Sequence, residues 1–492
     1  MTPINWEALQ MQLLYDSHNP LLFNSGFFVY FLVLFIVLYF AFRKNYMHRA
    51  VILSIFSLYF FYKASGSFVL LVILSAIVDF GLSNLIFKQK SKSIKKSLLI
   101  ISIIFNLGML FYFKYTNFFL ELVNSFYTPK FNFIYVLLPI GISFYTFENL
   151  SYTVDVYKGE IQPEKKIINY LLFLSFFPKL VMGPIVRAKD FIPQLKKEYF
   201  VSDSDFSKGF YLIITGLIKK LIISDYVKLN LVDYVFDGPN LHNGFECLMS
   251  LYGYAIVIYC DFSGYSDVAI GISKWLGITI PTNFLSPYQS KSISEFWRRW
   301  HISLSSWLRD YLYIPLGGNK NGTIRTNINL FLTMLIGGFW HGASWNFIIW
   351  GALHGFGLLL NKIWKALFGR FKILPVWFTD VLFGLITFHF VCFCWVFFRA
   401  NDLNLALEFL HQIVYQFTFE GATEFFYNYK YALIMIGIGL LIHLIPDSFQ
   451  EKVIEIQKNF SMVYYVAVFL LFIILYSYFK SAESVLPIYL QF

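Results

Sequence analysis

"FVLLVILSAIVDFGLSNLIF", residues 68 to 87, decides the class of fold. Twenty mostly apolar residues in a helix rise about 30 Å, the hydrocarbon thickness of a bilayer. "FFVYFLVLFIVLYFAF" (27–42), "LFGLITFHFVCFCWVFF" (382–398) and "YYVAVFLLFIILYSYF" (464–479) approach the same length. Such windows predict roughly ten to thirteen spanning or re-entrant segments. Composition agrees: the 492 residues are 58% hydrophobic and 14% charged, against about 25% charged in soluble domains. The sequence predicts an all-α, polytopic integral membrane protein, with residues 1–492 forming one membrane-embedded domain.

The net charge of +10 is unevenly placed. Arg43, Lys44 and Arg49 follow the first span, Lys88 to Lys96 the third, and Lys158, Lys165 and Lys166 the fifth; the intervening loops hold one lysine each. Basic loops favour the cytoplasm, so the N-terminus is expected outside. "MTPINWEALQMQLLYDSHNP" has no basic region followed by a short apolar core, so no cleavable leader is expected. No basic stretch interleaved with aromatics sits on a soluble module, which argues against a nucleic-acid partner. The four cysteines match neither a zinc site nor a disulfide framework and read as small core hydrophobes.

From residue 136 the texture changes. "LLPIGISFYTFENLSYTVDVYKG" (137–159) and "FFPKLVMGPIVRAKDFIPQL" (176–195) scatter Gly, Pro and polar groups through apolar sequence. At membrane depth such groups must be satisfied by protein or by a water-filled cavity, so a cavity is expected in the middle of the chain. Residues 401–429 read as a polar loop and 430–492 as two closing spans.

The block 259–355 carries most chemistry. Ser292 and Glu295 form a capping box, and Pro315 with Gly317–Gly318 gives the stop. Between them the pattern predicts one interfacial helix of about twenty residues. At ~100° per residue, Trp297, Leu304 and Leu308 share a face with His301, while Arg298, Arg299 and Arg309 lie on the other side. His341 stands in "GGFWHGASW" (337–345), among small residues that would let a ligand approach closely. A buried imidazole is either a core group with a partner or a proton acceptor in a dry place; context raises His341 and His301 towards the second. His354 is a weaker third. Trp300 and Trp340, which precede the two histidines, join the arginines as donor- or substrate-binding candidates. Arg187, Arg298, Arg299 and Arg309 suit either the phosphates of a donor or anionic lipid. Asp261 and Asp267 read as structural, pairing with arginines or capping. No nucleophile elbow, Walker loop or metal-spaced His/carboxylate set is present.

Five stretches in order, "LLPIGISFYTFENLSYTVDVYKG", "MGPIVRAKDFIPQL", "YCDFSGYSDVAIGIS", "PTNFLSPYQSKSISEFWRRWHISLSSWLRDYLYIPLGG" and "GGFWHGASWNFIIWGALHG", resemble the bacterial alginate O-acetyltransferase branch of the membrane-bound O-acyltransferase family. The similarity covers roughly residues 20–400. It implies a ring of helices around a central catalytic cavity and acyl transfer from a cytoplasmic thioester to a hydroxyl acceptor. It places the family's catalytic histidine at His341 and the second active-site histidine at His301. No tightly bound cofactor is implied; acetyl-CoA or an acyl carrier thioester serves as co-substrate. The implied acceptor is an envelope or secreted polysaccharide, the implied location the inner membrane, and the implied partner an extracytoplasmic SGNH-hydrolase-like acetyltransferase. The competing expectation is an acyl channel or transporter that supplies such an enzyme.

Overall fold

A computed structural model of the chain describes residues 12–17, 20–23, 25–128, 130–134, 136–368, 375–479 and 485–490. Residues 1–11, read above for a leader, lie outside them. Among the described residues the regular elements are all helical. Six stretches are long and apolar enough to cross a membrane: Tyr46–Lys88, Lys92–Phe126, Gly244–Trp275, Trp345–Leu367, Val376–Arg399 and Met462–Phe479. Ala422–Asn428 and Lys430–Leu444, bent by 78°, make a seventh if taken together. The chain is a multi-pass helical membrane protein.

This count is lower than the apolar windows suggest, for two reasons. Tyr46–Lys88 contains two 20-residue helices, Tyr46–Ser65 and Val69–Lys88, joined through a turn at Gly66. Gly66 has φ 62°, and a Cβ there would meet the Tyr15 ring at 2.9 Å. Second, the apolar sequence between 142 and 195 is divided among short helices, Ile142–Lys158, Ile167–Ser175, Phe177–Leu180 and Ala188–Leu195.

The chain divides into two compact units, residues 1–205 with 272–281, and 206–271 with 282–492. In the first, Ile142–Lys158 is buried along most of its length although it carries Glu148, Asn149 and Thr153. Protein groups meet these side chains. Asp79 accepts from Ser102, from Asn106 (2.7 Å) and from Thr153 (3.2 Å). Asn149 donates to Asn106 and accepts from the Tyr170 hydroxyl. Glu148 pairs with Lys179 and accepts the Val186 N–H at 3.1 Å. Lipid tails offer helices no hydrophobic drive towards one another, so such bonds act as glue.

The helix Gly244–Trp275, which belongs to the second unit up to Gly271, is almost wholly buried. Asp261 and Asp267 project from its middle, which corrects the expectation that they cap or pair with arginines. Their partners are lysines of the segment Ile218–Ser224: Lys220 binds Asp261 and Asp225, and Lys219 binds Asp267 at 2.7 Å. The polar stretch 401–429 contains two helices, Leu403–Tyr415 and Ala422–Asn428; Asp402 caps the first by accepting the Leu405 N–H. All four cysteines are buried free thiols.

Candidate functional site

The capping box forms where the sequence predicts it. Ser292 Oγ accepts the Glu295 N–H at 3.2 Å and starts the helix Ile293–Arg299. That helix does not run on to Pro315, which corrects the reading of one twenty-residue helix. It stops at Trp300, restarts as Ile302–Leu308 and loosens into a π-helical turn, Arg309–Tyr313. His301 occupies the break with φ 42° and ψ 55°. A left-handed backbone at a residue with a Cβ costs about 1–2 kcal/mol, so the surroundings must impose it.

Asn283 supplies that constraint. Its carbonyl accepts the Ile302 N–H at 3.0 Å. Its side-chain oxygen accepts from Ser303 Oγ at 2.7 Å and from the Ser303 N–H at 3.3 Å. Its amide donates to Ser266 at 3.1 Å. Three polar contacts thus pin the turn immediately after His301, and the imidazole is fully buried.

His341 is the last residue of the helix Gly322–His341 and is 3% exposed. Of the glycines before it, Gly338 serves helix packing. A Cβ on Gly338 would lie 2.4 Å from the Phe347 carbonyl oxygen and 2.7 Å from Gly351 Cα. Bare backbones therefore bring Gly322–His341 against Trp345–Phe368, and Gly342 is covered by the Phe347 ring. This seating fixes where His341 ends up.

The two histidine rings lie 6.4 Å apart between centroids. His341 meets Trp340 and Trp350 at 5.0 Å, Phe398 at 5.4 Å and Tyr489 at 5.5 Å. His301 meets Phe262 at 4.6 Å and Tyr489 at 6.2 Å. Burial pulls the His301 imidazole down to about 3, so it is neutral at pH 7. Two imidazoles at this spacing, walled by aromatic rings, are close enough to address one small reacting group away from bulk water.

The other candidates separate clearly. His354 is buried and accepts the Trp297 indole N–H at 3.3 Å, with Trp350 between it and His341. Trp340 lines the pair, whereas Trp300 packs among Phe284, Phe296 and Trp395. Arg299 pairs with Glu295 and Arg309 with Asp310, each at 2.8 Å, while Arg298 is exposed. Arg187 belongs to the first unit, at the head of the helix Ala188–Leu195. Among the described residues no group of three or more His, Cys, Asp or Glu could hold a metal ion. Sequence reading missed Asn283, Trp350, Phe398 and Tyr489. Asn283 and Trp350 lie inside the "PTNFLSP" and "GGFWHGASWNFIIWGALHG" motifs, whereas nothing local marked Phe398 or Tyr489.

The fold and site define a membrane-embedded protein with a water-shielded histidine pair. The model of the membrane-bound O-acyltransferase family matches residues 164–401, which include both histidines. A peptidoglycan O-acetyltransferase of Helicobacter pylori is 36% identical over 425 residues, 80% of each chain. A protein of Pseudomonas aeruginosa named "Probable alginate O-acetylase AlgI" is 38% identical over 392 residues, 78% of this chain and 73% of its own. A teichoic acid D-alanyltransferase of Bacillus subtilis is 32% identical over 278 residues, 54% of this chain and 69% of its own. The chain belongs to the membrane-bound O-acyltransferase family and is an acyltransferase.

Proposed function

We propose that the chain moves an acetyl group from a cytoplasmic thioester, acetyl-CoA or an acyl carrier, towards hydroxyls of an envelope or secreted polysaccharide. The juxtaposition of His301 and His341 carries this reading. His341 takes the proton of the attacking hydroxyl, whose oxygen adds to the thioester carbonyl. The carbon–sulfur bond then breaks, the acetyl stays on oxygen, and the proton passes to the departing thiolate. A positioned imidazole contributes about 10²–10⁴-fold to such a step. His301, kept neutral by burial and followed by a turn that Asn283 pins, orients the reacting group. Arg298, exposed on the helix Ile293–Arg299, is the arginine best placed to meet donor phosphates; Arg299 and Arg309 already have acidic partners.

Acetyl is favoured over D-alanyl because the two O-acetyl relatives are similar over 78–80% of this chain and the D-alanyl relative over 54%. The location is the inner membrane with the N-terminus outside, following the basic loops. An extracytoplasmic SGNH-hydrolase-like acetyltransferase completes delivery. Ester-linked acetate on isolated envelope and secreted polysaccharide tests the reading. Wild type should show it, and His341→Ala and His301→Ala, at equal membrane abundance, should lose it. Unchanged acetate in every fraction of the His341 variant would overturn it.

A further inference from the structure

The segment after the last span returns to the histidine pair. Val485 and Ile488 are buried, and Tyr489 touches Phe262 at 4.5 Å, Phe398 at 6.1 Å and both histidines. A polar contact ties its backbone: the Ile488 N–H donates to Asp261 Oδ2 at 2.9 Å. The other oxygen of the same carboxylate binds Lys220, which also holds Asp225 at 2.7 Å. Asp261 is 1% exposed and directly precedes Phe262, the ring between His301 and Tyr489.

We propose that Asp261 is a positioning residue: aimed by Lys220, it latches segment 485–490 so that Tyr489 forms a fixed wall of the histidine site. This rests on the acyl-transfer reading above. The chemistry of the latch requires a carboxylate. Two acceptor oxygens serve two donors, the lysine ammonium and the Ile488 N–H. An amide has one acceptor, and its NH₂ would face the remaining donor, so Asp261→Asn cannot keep both contacts. A hydrogen bond to a charged group is strong, and this one can be cut at the Ile488 N–H without touching the spanning helices.

Two variants cut it from opposite sides. Asp261→Asn alters the acceptor. Ile488→Pro removes the N–H while leaving the Lys220–Asp261–Asp225 cluster intact; Ile488 opens a 3₁₀ turn, where proline's φ is tolerated. A Val485→Cys probe, placed in each background, reports release of the segment by maleimide labelling, since the four native thiols are buried. The full-length protein is assayed in membranes for labelling and for acetyl transfer.

Both variants should label about tenfold faster or more, the scale of losing one charge-assisted bond. Transfer should fall by a similar factor through kcat with the thioester KM unchanged, and Asp261→Glu should restore part of it. Labelling no faster in Ile488→Pro would overturn the latch. Faster labelling with undiminished transfer would overturn the positioning role. Because labelling needs no turnover, failure of the latch is distinguishable from failure of the acyl-transfer reading.

Discussion

Asp79 in the first unit and the His301–His341 pair in the second are buried alike and furnished differently. Asp79 receives three hydrogen bonds, from Ser102 and Asn106 on one neighbouring helix and Thr153 on another. The histidines are surrounded by the rings of Phe262, Trp340, Trp350, Phe398 and Tyr489. Side-chain donors convert a buried acid into helix glue. Aromatic walls shut out water and hold ring orientation, which is what a general base needs. The first cluster ties helices together, and the second is the one proposed above to run the reaction.

Paired substitutions break that comparison most sharply. His341→Ala should lower transfer by about 10²–10⁴-fold with unchanged membrane abundance. Asp79→Leu should do the reverse. Three lost bonds at about 0.6 kcal/mol each, the membrane average, remove about 2 kcal/mol of stability. Thermal unfolding in detergent should move down while activity per folded molecule persists. If Asp79→Leu abolished turnover in fully folded protein, the division of labour would fail.

Within the site, Asn283→Ala should cost about tenfold in transfer, since it frees the turn after His301 from side-chain contacts worth about 1 kcal/mol each. Asn283→Asp, which keeps the acceptor for Ser303, should recover part of it; kcat against KM is the readout. A smaller effect belongs to Arg298. If it meets donor phosphates, Arg298→Ala should raise the thioester KM several-fold and leave kcat alone, as loss of uniform binding does.

The smallest effect is a pH dependence outside the spans. Burial pushes the Glu164 carboxyl up, but Lys196 at 2.8 Å, the Lys166 N–H and Asn169 outweigh it and hold the group below its ordinary value. A depressed carboxylate stabilises the fold fully above its unfolded value and loses that contribution as pH falls through the folded one. Glu164→Gln should therefore unfold earlier than wild type at pH 7. The difference should close between about pH 5 and 3.

The fold class was legible in runs such as 68–87 because lipid demands length and apolarity of each span. Breaks within apolar sequence were not, because Gly66 and the π-turn at Arg309–Tyr313 depend on what packs beside them. The helical phase put His301 on the buried face, which is where it lies. The same phase assumed a continuous helix and could not foresee a break pinned by Asn283, eighteen positions earlier. The small residues around His341 read as room for a ligand, whereas what approaches Gly338 and Gly342 is the helix Trp345–Phe368. Lysines 219 and 220 as partners of Asp267 and Asp261, and Tyr489 beside His341, are long-range contacts with no local signature.

The central claim is that His341 performs the proton transfer of acyl transfer. The most direct measurement is thiol release from acetyl-CoA by purified protein in vesicles, with a soluble hydroxyl acceptor, for wild type and His341→Ala of equal melting behaviour. The account predicts acceptor-dependent release by wild type and its loss, about 10²-fold or more, in the variant. Equal release by both would contradict it.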